Sequence, residues 1–308
     1  QATQFMELKA GALDLSVLTP MDYVYQTSDP WWRDHFDKYE YIASGYTFLG
    51  YNLRPEHPLF TDVRVRRALT FAIDKQEVVD GVLFGLGLAA NGPYKPDSWA
   101  YNPNIPASVY DPAKALTLLA EVGWEDHDGD GLLDKDGRPF AFTILTNQGN
   151  SQRINTAIII QERLRQIGIQ VKVRTVEWAA FLNEFVDPGH FDAVILAWSV
   201  PPDPDIHAIW HSKADARLNF TRYSNPEVDT LLDAGRATLD QAERKRIYWK
   251  VQEYLYEDQP YCFLYVSKSL PIVNRRIQGV EPAPSGIGHN SEWWWIPRSL
   301  QTKTALTP

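Results

Sequence analysis

Three groups of side chains in this sequence have types and spacings that chemistry could use. The first is Asp126-His127-Asp128-Gly129-Asp130-Gly131, followed by Asp134. Carboxylates at loop positions 1, 3, 5 and 9 with glycine at 6 follow a calcium loop, but position 12 is Gly137 where such a loop carries glutamate. A polar turn between a helix and a strand uses the same residues and is the plainer alternative. The second group is His207 and His211, four residues apart and so on one helical face, with Asp203 or Asp205 near. Zinc sites use that spacing, yet no third histidine lies close and the glutamate of a metalloprotease motif is missing, so two surface histidines are the simpler reading. The third is the stretch 191–212, FDAVILAWSVPPDPDIHAIWHS. Its apolar run up to Ser199 reads as a strand buried on both faces, and it breaks at Pro201-Pro202 into an acidic loop beside Trp198 and Trp210. An α/β protein often places a ligand where a buried strand opens into such a loop, and Asp205 as an ordinary helix cap is the competing explanation.

The chain offers little to an enzyme. It has no nucleophile elbow, no HExxH, no P-loop and no glycine-rich dinucleotide fingerprint after a strand. Asp203 and Asp205, two apart in a proline-stiffened loop, do not define a glycosidase pair. The lone cysteine, Cys262, sits in a strand-like apolar run and reads as a buried structural thiol.

A chain of 308 residues calls for one large domain or two unequal ones to hold these residues. Hydrophobic residues at 44% and charged residues at 22% describe a globular chain. A net charge of −9 without a basic tract argues against nucleic acid and anionic membranes as partners. No stretch approaches the roughly 18 apolar residues of a membrane span. Gln1-Ala2-Thr3 leads straight into a helical pattern with no secretory leader, so the chain is expected to start as a mature protein or partway through a larger one. Eleven tryptophans exceed what core packing asks for, and several stand near loop signals.

Periodicity and caps predict a helix to Gly11, a short strand to Val17, and a second helix opened by Thr19-Pro20. Strands follow at 39–43 and 46–53, then helices capped by Asp62, Asp74 and Asp111, with a long connection over 86–110. Strand 140–146, helix 151–167, strand 169–176 and strand 191–199 come next. Helices start at Asn225-Pro226 and Asp240, and strands lie near 261–267 and 270–275. Strand, helix, strand in succession argues for an α/β fold.

Four segments carry a resemblance to a known family. LKAGALDL (8–15), FTDVRVRRALTFAIDKQEVVDGVLFG (60–85), YDPAKALTLLAEVGW (110–124) and NFTRYSNPEVDTLLDAG (219–235) follow one another as they do in the family 5 solute-binding proteins of bacterial ABC importers. The resemblance covers almost the whole chain. It implies a periplasmic binding protein type 2-like α/β fold, two lobes closing on a ligand, and a location in the periplasm or on the extracytoplasmic face. It implies also that this chain begins late. Residues 1–51 and 271–308 would be parts of an incomplete first lobe, 52–270 the second lobe, and the strands near 46–53 and 266–273 the hinge crossings. The motif residues themselves read as structure: Asp62, Asp74 and Asp111 as caps, and Arg64, Arg66 and Arg67 on a polar helix face.

The same resemblance implies a binding role without catalysis. The ligand is a peptide or peptide-like solute passed to a membrane permease; an oligosaccharide receptor and a non-transport ligand sensor are the alternatives. Ala197, Trp198 and Ser199 fall where the family's strand end meets its ligand. Trp178 matches a pocket-lining tryptophan, although packing in the core suits it equally, and Asn147 with Gln148 matches a loop facing the cleft. Tyr46, Tyr51 and Trp293 to Trp295 could wall the first lobe. Three residues after Trp198, where peptide-binding members carry an aspartate for the ligand's α-amino group, this sequence has Pro201, which offers neither charge nor N–H. Asp203 or Asp205 is the expected substitute.

Overall fold

Caps and glycines mark most boundaries in the computed structural model, which describes residues 2–301. In chain order the elements are α1 (Ala2–Lys9), β1 (Leu15–Val17), α2 (Pro30–His35), β2 (Phe36–Lys38), β3 (Tyr41–Ile42) and β4 (Gly45–Tyr51). Then come α3 (Val63–Ala72), α4 (Lys75–Leu83), β5 (Gly87–Ala89), α5 (Pro112–Ala120), β6 (Asp134–Lys135), β7 (Arg138–Pro139), β8 (Ala141–Asn147) and α6 (Ser151–Arg165). The rest are β9 (Gln170–Val176), α7 (Trp178–Ala180), β10 (Ala193–Ser199), α8 (His207–Trp210), α9 (Pro226–Ala237), α10 (Gln241–Asp258), β11 (Tyr261–Ser269) and β12 (Pro271–Asn274).

Side-chain caps explain why the helices begin where they do. Asp62 accepts the Arg64 N–H at 2.8 Å, Asp74 that of Glu77 at 3.0 Å and Asp111 that of Lys114 at 2.9 Å. Asn150 and Asp240 do the same for α6 and α10, and each such cap contributes about 1 kcal/mol.

The chain divides into two compact units, one from Ser44 to Val266 and one made of the residues up to Ala43 together with those from Ser267 onward. The expected lobe boundaries lay at 51/52 and 270/271. The earlier break places all of β4 in the larger unit, because β4 is hydrogen-bonded to β10 and β11 along its length. Residue 1 and residues 302–308, which the expected first lobe included, lie outside the described residues.

In the larger unit the strands stand in the order β11-β4-β10-β8-β9. β8 runs parallel to β9 and to β10, while β4 is antiparallel to β10 and β11. One sheet face packs Leu49, Ile144, Ile195 and Cys262 against Val65, Leu69 and Val79 and the α6 residues Ala157 and Ile160. Part of the other face is aromatic: Phe48 stacks on Tyr261 at 3.9 Å, and Phe220 and Trp210 close around them. Burial pushes the Cys262 thiol up, as suits a structural residue.

Arg66 does not lie on a polar face. It is buried, and its guanidinium donates to the carbonyl oxygens of Phe60, Thr61, Asp258 and Gln259. The C-terminal end of α10 leaves carbonyls unpaired, and a cation reaching across from α3 satisfies them.

The smaller unit holds the sheet β1-β12-β2 over a core of Leu8, Leu18, Trp32, Phe36 and Ile272. The helix expected after Thr19-Pro20 is a wide helical turn, Asp22–Gln26, with Thr19 Oγ1 accepting the Asp22 N–H at 3.1 Å. Trp293 and Trp295 are exposed, and Trp294 Nε1 donates to Asn290 at 3.0 Å.

Candidate ligand-binding site

Successive residues in an antiparallel ladder aim their backbone groups alternately toward and away from the partner strand. Val200 donates its N–H to Ser44 O at 2.9 Å, and Asn52 donates to Asp192 O at 2.9 Å. With the register running from Ala193↔Tyr51 to Ser199↔Gly45, this makes Val194, Leu196 and Trp198 the residues facing β4. Ala197 and Ser199 therefore turn their N–H and C=O groups to the other edge. There β8 is registered only at Ala193↔Ile144 and Val194↔Leu145, short of both residues. The strand end is open where its interior is closed: Ala193 to Leu196 are buried, Ala197 and Ser199 exposed. Gly45 permits the approach, since a Cβ there would lie 2.5 Å from the Trp198 carbonyl oxygen.

Trp198 is half-buried. Its Nε1 donates to Tyr261 Oη at 3.3 Å, and its ring lies 6.4 Å from Phe48 and 6.2 Å from Phe220. Asn147 ends β8 at the same end of the sheet, and Gln148 is exposed with its N–H on Val176 O at 2.7 Å. Trp178 opens α7 and is 46% exposed, so it is not a core residue.

Arg153 joins this group, and sequence reasoning missed it. Its Nη1 donates to Asn147 Oδ1 at 2.8 Å, its guanidinium carbon lies 5.9 Å from the Trp178 ring, and it has no carboxylate partner among the described residues. Burial lowers its pKa from the ordinary arginine value. A signal was present: a cation in the first turn of α6 opposes the helix dipole, where an acidic residue is the stabilising choice.

Other expected residues are placed elsewhere. Asp203 accepts from both terminal guanidinium nitrogens of Arg244, Nη1 and Nη2, at 3.0 Å, and Asp205 accepts from Arg236 Nε at 2.8 Å and from the His207 N–H at 3.0 Å. Both residues expected to stand in for an aspartate at Pro201 are thus already paired with arginine. Tyr46 and Tyr51 are 2% and 0% exposed inside the larger unit, because β4 is an interior strand; they wall nothing. Burial pushes both phenols well above their usual range.

His207 and His211 do share a face, stacked at 4.3 Å, but the third group is Asp233, 3.2 Å from His207 Nε2 and 3.6 Å from His211 Nε2. His211 Nδ1 accepts the Lys213 N–H at 3.0 Å, so the ring's proton belongs on Nε2. A metal at that nitrogen would have to displace it, which makes the trio a carboxylate–histidine contact and a poor metal centre.

The acidic loop fits a hard cation in part. Asp126, Asp128 and Asp130 bring ligand oxygens within 4.8 Å of one another. Asp126 also accepts the N–H groups of Gly129, Asp130 and Gly131, which curls the loop around it. Asp134 turns instead to His127, accepting its N–H at 3.1 Å.

The family model for bacterial extracellular solute-binding proteins, family 5, middle region, matches residues 1–217. The chain belongs to this family. Oligopeptide-binding protein AppA of Bacillus subtilis is 39% identical over 259 residues, covering 83% of this chain and 47% of that protein. The solved structure of B. subtilis AppA in complex with a nonapeptide superposes with a TM-score of 0.82 at 35% identity, over 96% of this chain and 58% of that one. NikZ of Campylobacter jejuni in complex with Ni(L-His) gives 0.80 at 27% identity, over 95% and 59%. The family 5 fold is thus the α/β fold of this chain, which spans about half the length of the curated relatives it matches. Oligopeptide-binding and dipeptide-binding proteins are among those relatives. Among the described residues no helix is long and apolar enough to cross a membrane.

Proposed function

We propose that this chain contributes one ligand-binding wall of a peptide receptor that serves an ABC importer on the extracytoplasmic side of the membrane. The observation that carries the reading is the unpaired edge of β10 at Ala197 and Ser199. An extended peptide laid along it gains main-chain hydrogen bonds whatever its sequence, the mode by which a strand is added to a sheet. Trp198 and Trp178 supply flat apolar surface, and Asn147, Gln148 and Arg153 supply polar contacts at the same end. A peptide carboxylate suits Arg153, a half-buried cation with no acidic partner among the described residues. The family's lobe closure would exclude water from these contacts in the whole receptor and present the loaded form to a permease. No catalytic step is assigned. The nonapeptide bound by AppA supports a peptide over an oligosaccharide. The Asp126–Asp130 loop is proposed as a weak calcium site that stiffens the connection between α5 and β8.

Native mass spectrometry of the whole receptor, purified gently, tests the reading. Peptides of mixed sequence should copurify and be lost from the Trp198→Ala protein. Copurifying sugars, or a peptide load unaffected by that change, would refute it.

A further inference from the structure

A second opening lies among α3, α5 and the C-terminal end of α10, and it shares no residue with the strand end. Its volume is about 320 Å³, within the range of small-molecule sites, and Phe71, Leu118 and Tyr256 give it an apolar floor. Two cations line it. Arg67 is tied through Nε to the Glu257 carbonyl oxygen at 2.8 Å, and Lys114 Nζ stands 4.1 Å from the Phe71 ring centroid. Neither has a carboxylate partner among the described residues. A third cation stands behind the wall: buried Lys75 donates from Nζ to the lining Ser108 Oγ at 2.8 Å, and its other partners are the neutral Ala90 O and Asn91 Oδ1. The acid on the lining is Glu257, which is exposed.

Three positive groups with one exposed counter-charge, set around an apolar cavity, favour a particular kind of guest. We propose that this cavity is a second binding site, for a small organic monoanion with a flat or aliphatic body, its carboxylate held between Arg67 and Lys114 and its body on Phe71 and Leu118. A guanidinium held through one nitrogen keeps two free for such a carboxylate. This cavity is independent of the peptide-receptor reading, because the two sites are built from different elements.

Titration calorimetry on the full chain with 3-phenylpropionate, against the neutral 3-phenylpropanamide, decides it. The acid should bind one to one, at least about tenfold tighter than the amide. The paired change Arg67→Gln with Lys114→Gln should remove that preference, and Leu118→Trp, which fills the floor, should abolish binding even if the paired variant folds poorly. No heat up to about 10 mM acid, equal binding of the amide, or binding that survives Leu118→Trp would overturn the proposal. Heat lost in Arg153→Gln but kept in the paired variant would overturn it too, by placing the acid at the strand end.

Discussion

Arg153 and Asn147 are joined by a 2.8 Å hydrogen bond across the turn from β8 into α6, and this bond aims a cation that has no acidic partner among the described residues. If the cation takes a ligand carboxylate, Arg153→Gln weakens binding of free-acid peptides by about 1.5–3 kcal/mol, the usual value of a hydrogen bond to a charged group. C-terminally amidated peptides should bind the variant and the parent alike. Calorimetry with matched acid and amide peptides checks this, and an equal loss for both would remove Arg153 from the site.

Trp198 serves packing as well as contact. Trp198→Ala takes a half-buried ring from the Phe48, Phe220 and Tyr261 cluster and should lower stability by about 2–3 kcal/mol. Trp198→Phe should restore most of that, while the bond to Tyr261 stays lost. Urea melts of the three proteins measure the difference.

Asp203→Ala should leave ligand affinity unchanged, because Arg244 already occupies the carboxylate. Its hydrogen bonds hold the Asp203 carboxyl below the usual range. A depressed carboxylate stabilises the fold above its unfolded pKa of about 3.9 and loses that contribution as pH falls through the folded value. The variant should therefore differ from the parent near neutral pH by at most about 1 kcal/mol, given the exposure of the pair, and converge with it in acid. Chemical melts at neutral and acid pH test both halves.

Lys75 predicts an alkaline trend. Burial lowers its pKa, so between the folded value and the unfolded value of about 10.4 the unfolded chain binds the extra proton and stability rises with pH. Lys75→Met should flatten that rise. The stability difference, parent minus variant, is measured across the alkaline range; a difference that falls with pH would contradict the assignment.

Calcium should stabilise the protein weakly. With a Kd of about 1 mM, as for sites short of ligands, about 10 mM calcium adds about 1.4 kcal/mol. Thermal melts with calcium and with chelator should differ, and Asp126→Asn should abolish the difference.

Much of this was legible in the residues. Asp62, Asp74, Asp111, Asn225 and Asp240 announce helices because a cap is a local bond between a side chain and an amide two or three positions on. The apolar run ending at Ser199 announces an interior strand for the same kind of reason. Asp203 and Asp205 misled because their partners, Arg244 and Arg236, lie 41 and 31 positions away, and nothing near them in the chain shows that they are already paired. Tyr46 and Tyr51 misled because strand position within a sheet, interior or edge, is set by which strands arrive on either side.

Taken alone, then, the sequence determined the family, the α/β order and the places where helices start, since these rest on interactions among near neighbours. Tertiary structure decided which charges are spent and which are free. Arg66 is consumed by carbonyls of a distant helix end, whereas Arg153 reaches a strand end and meets no acid among the described residues. A long-range ion pair depends on how elements pack, and packing brings together residues whose spacing in the chain carries no trace of it.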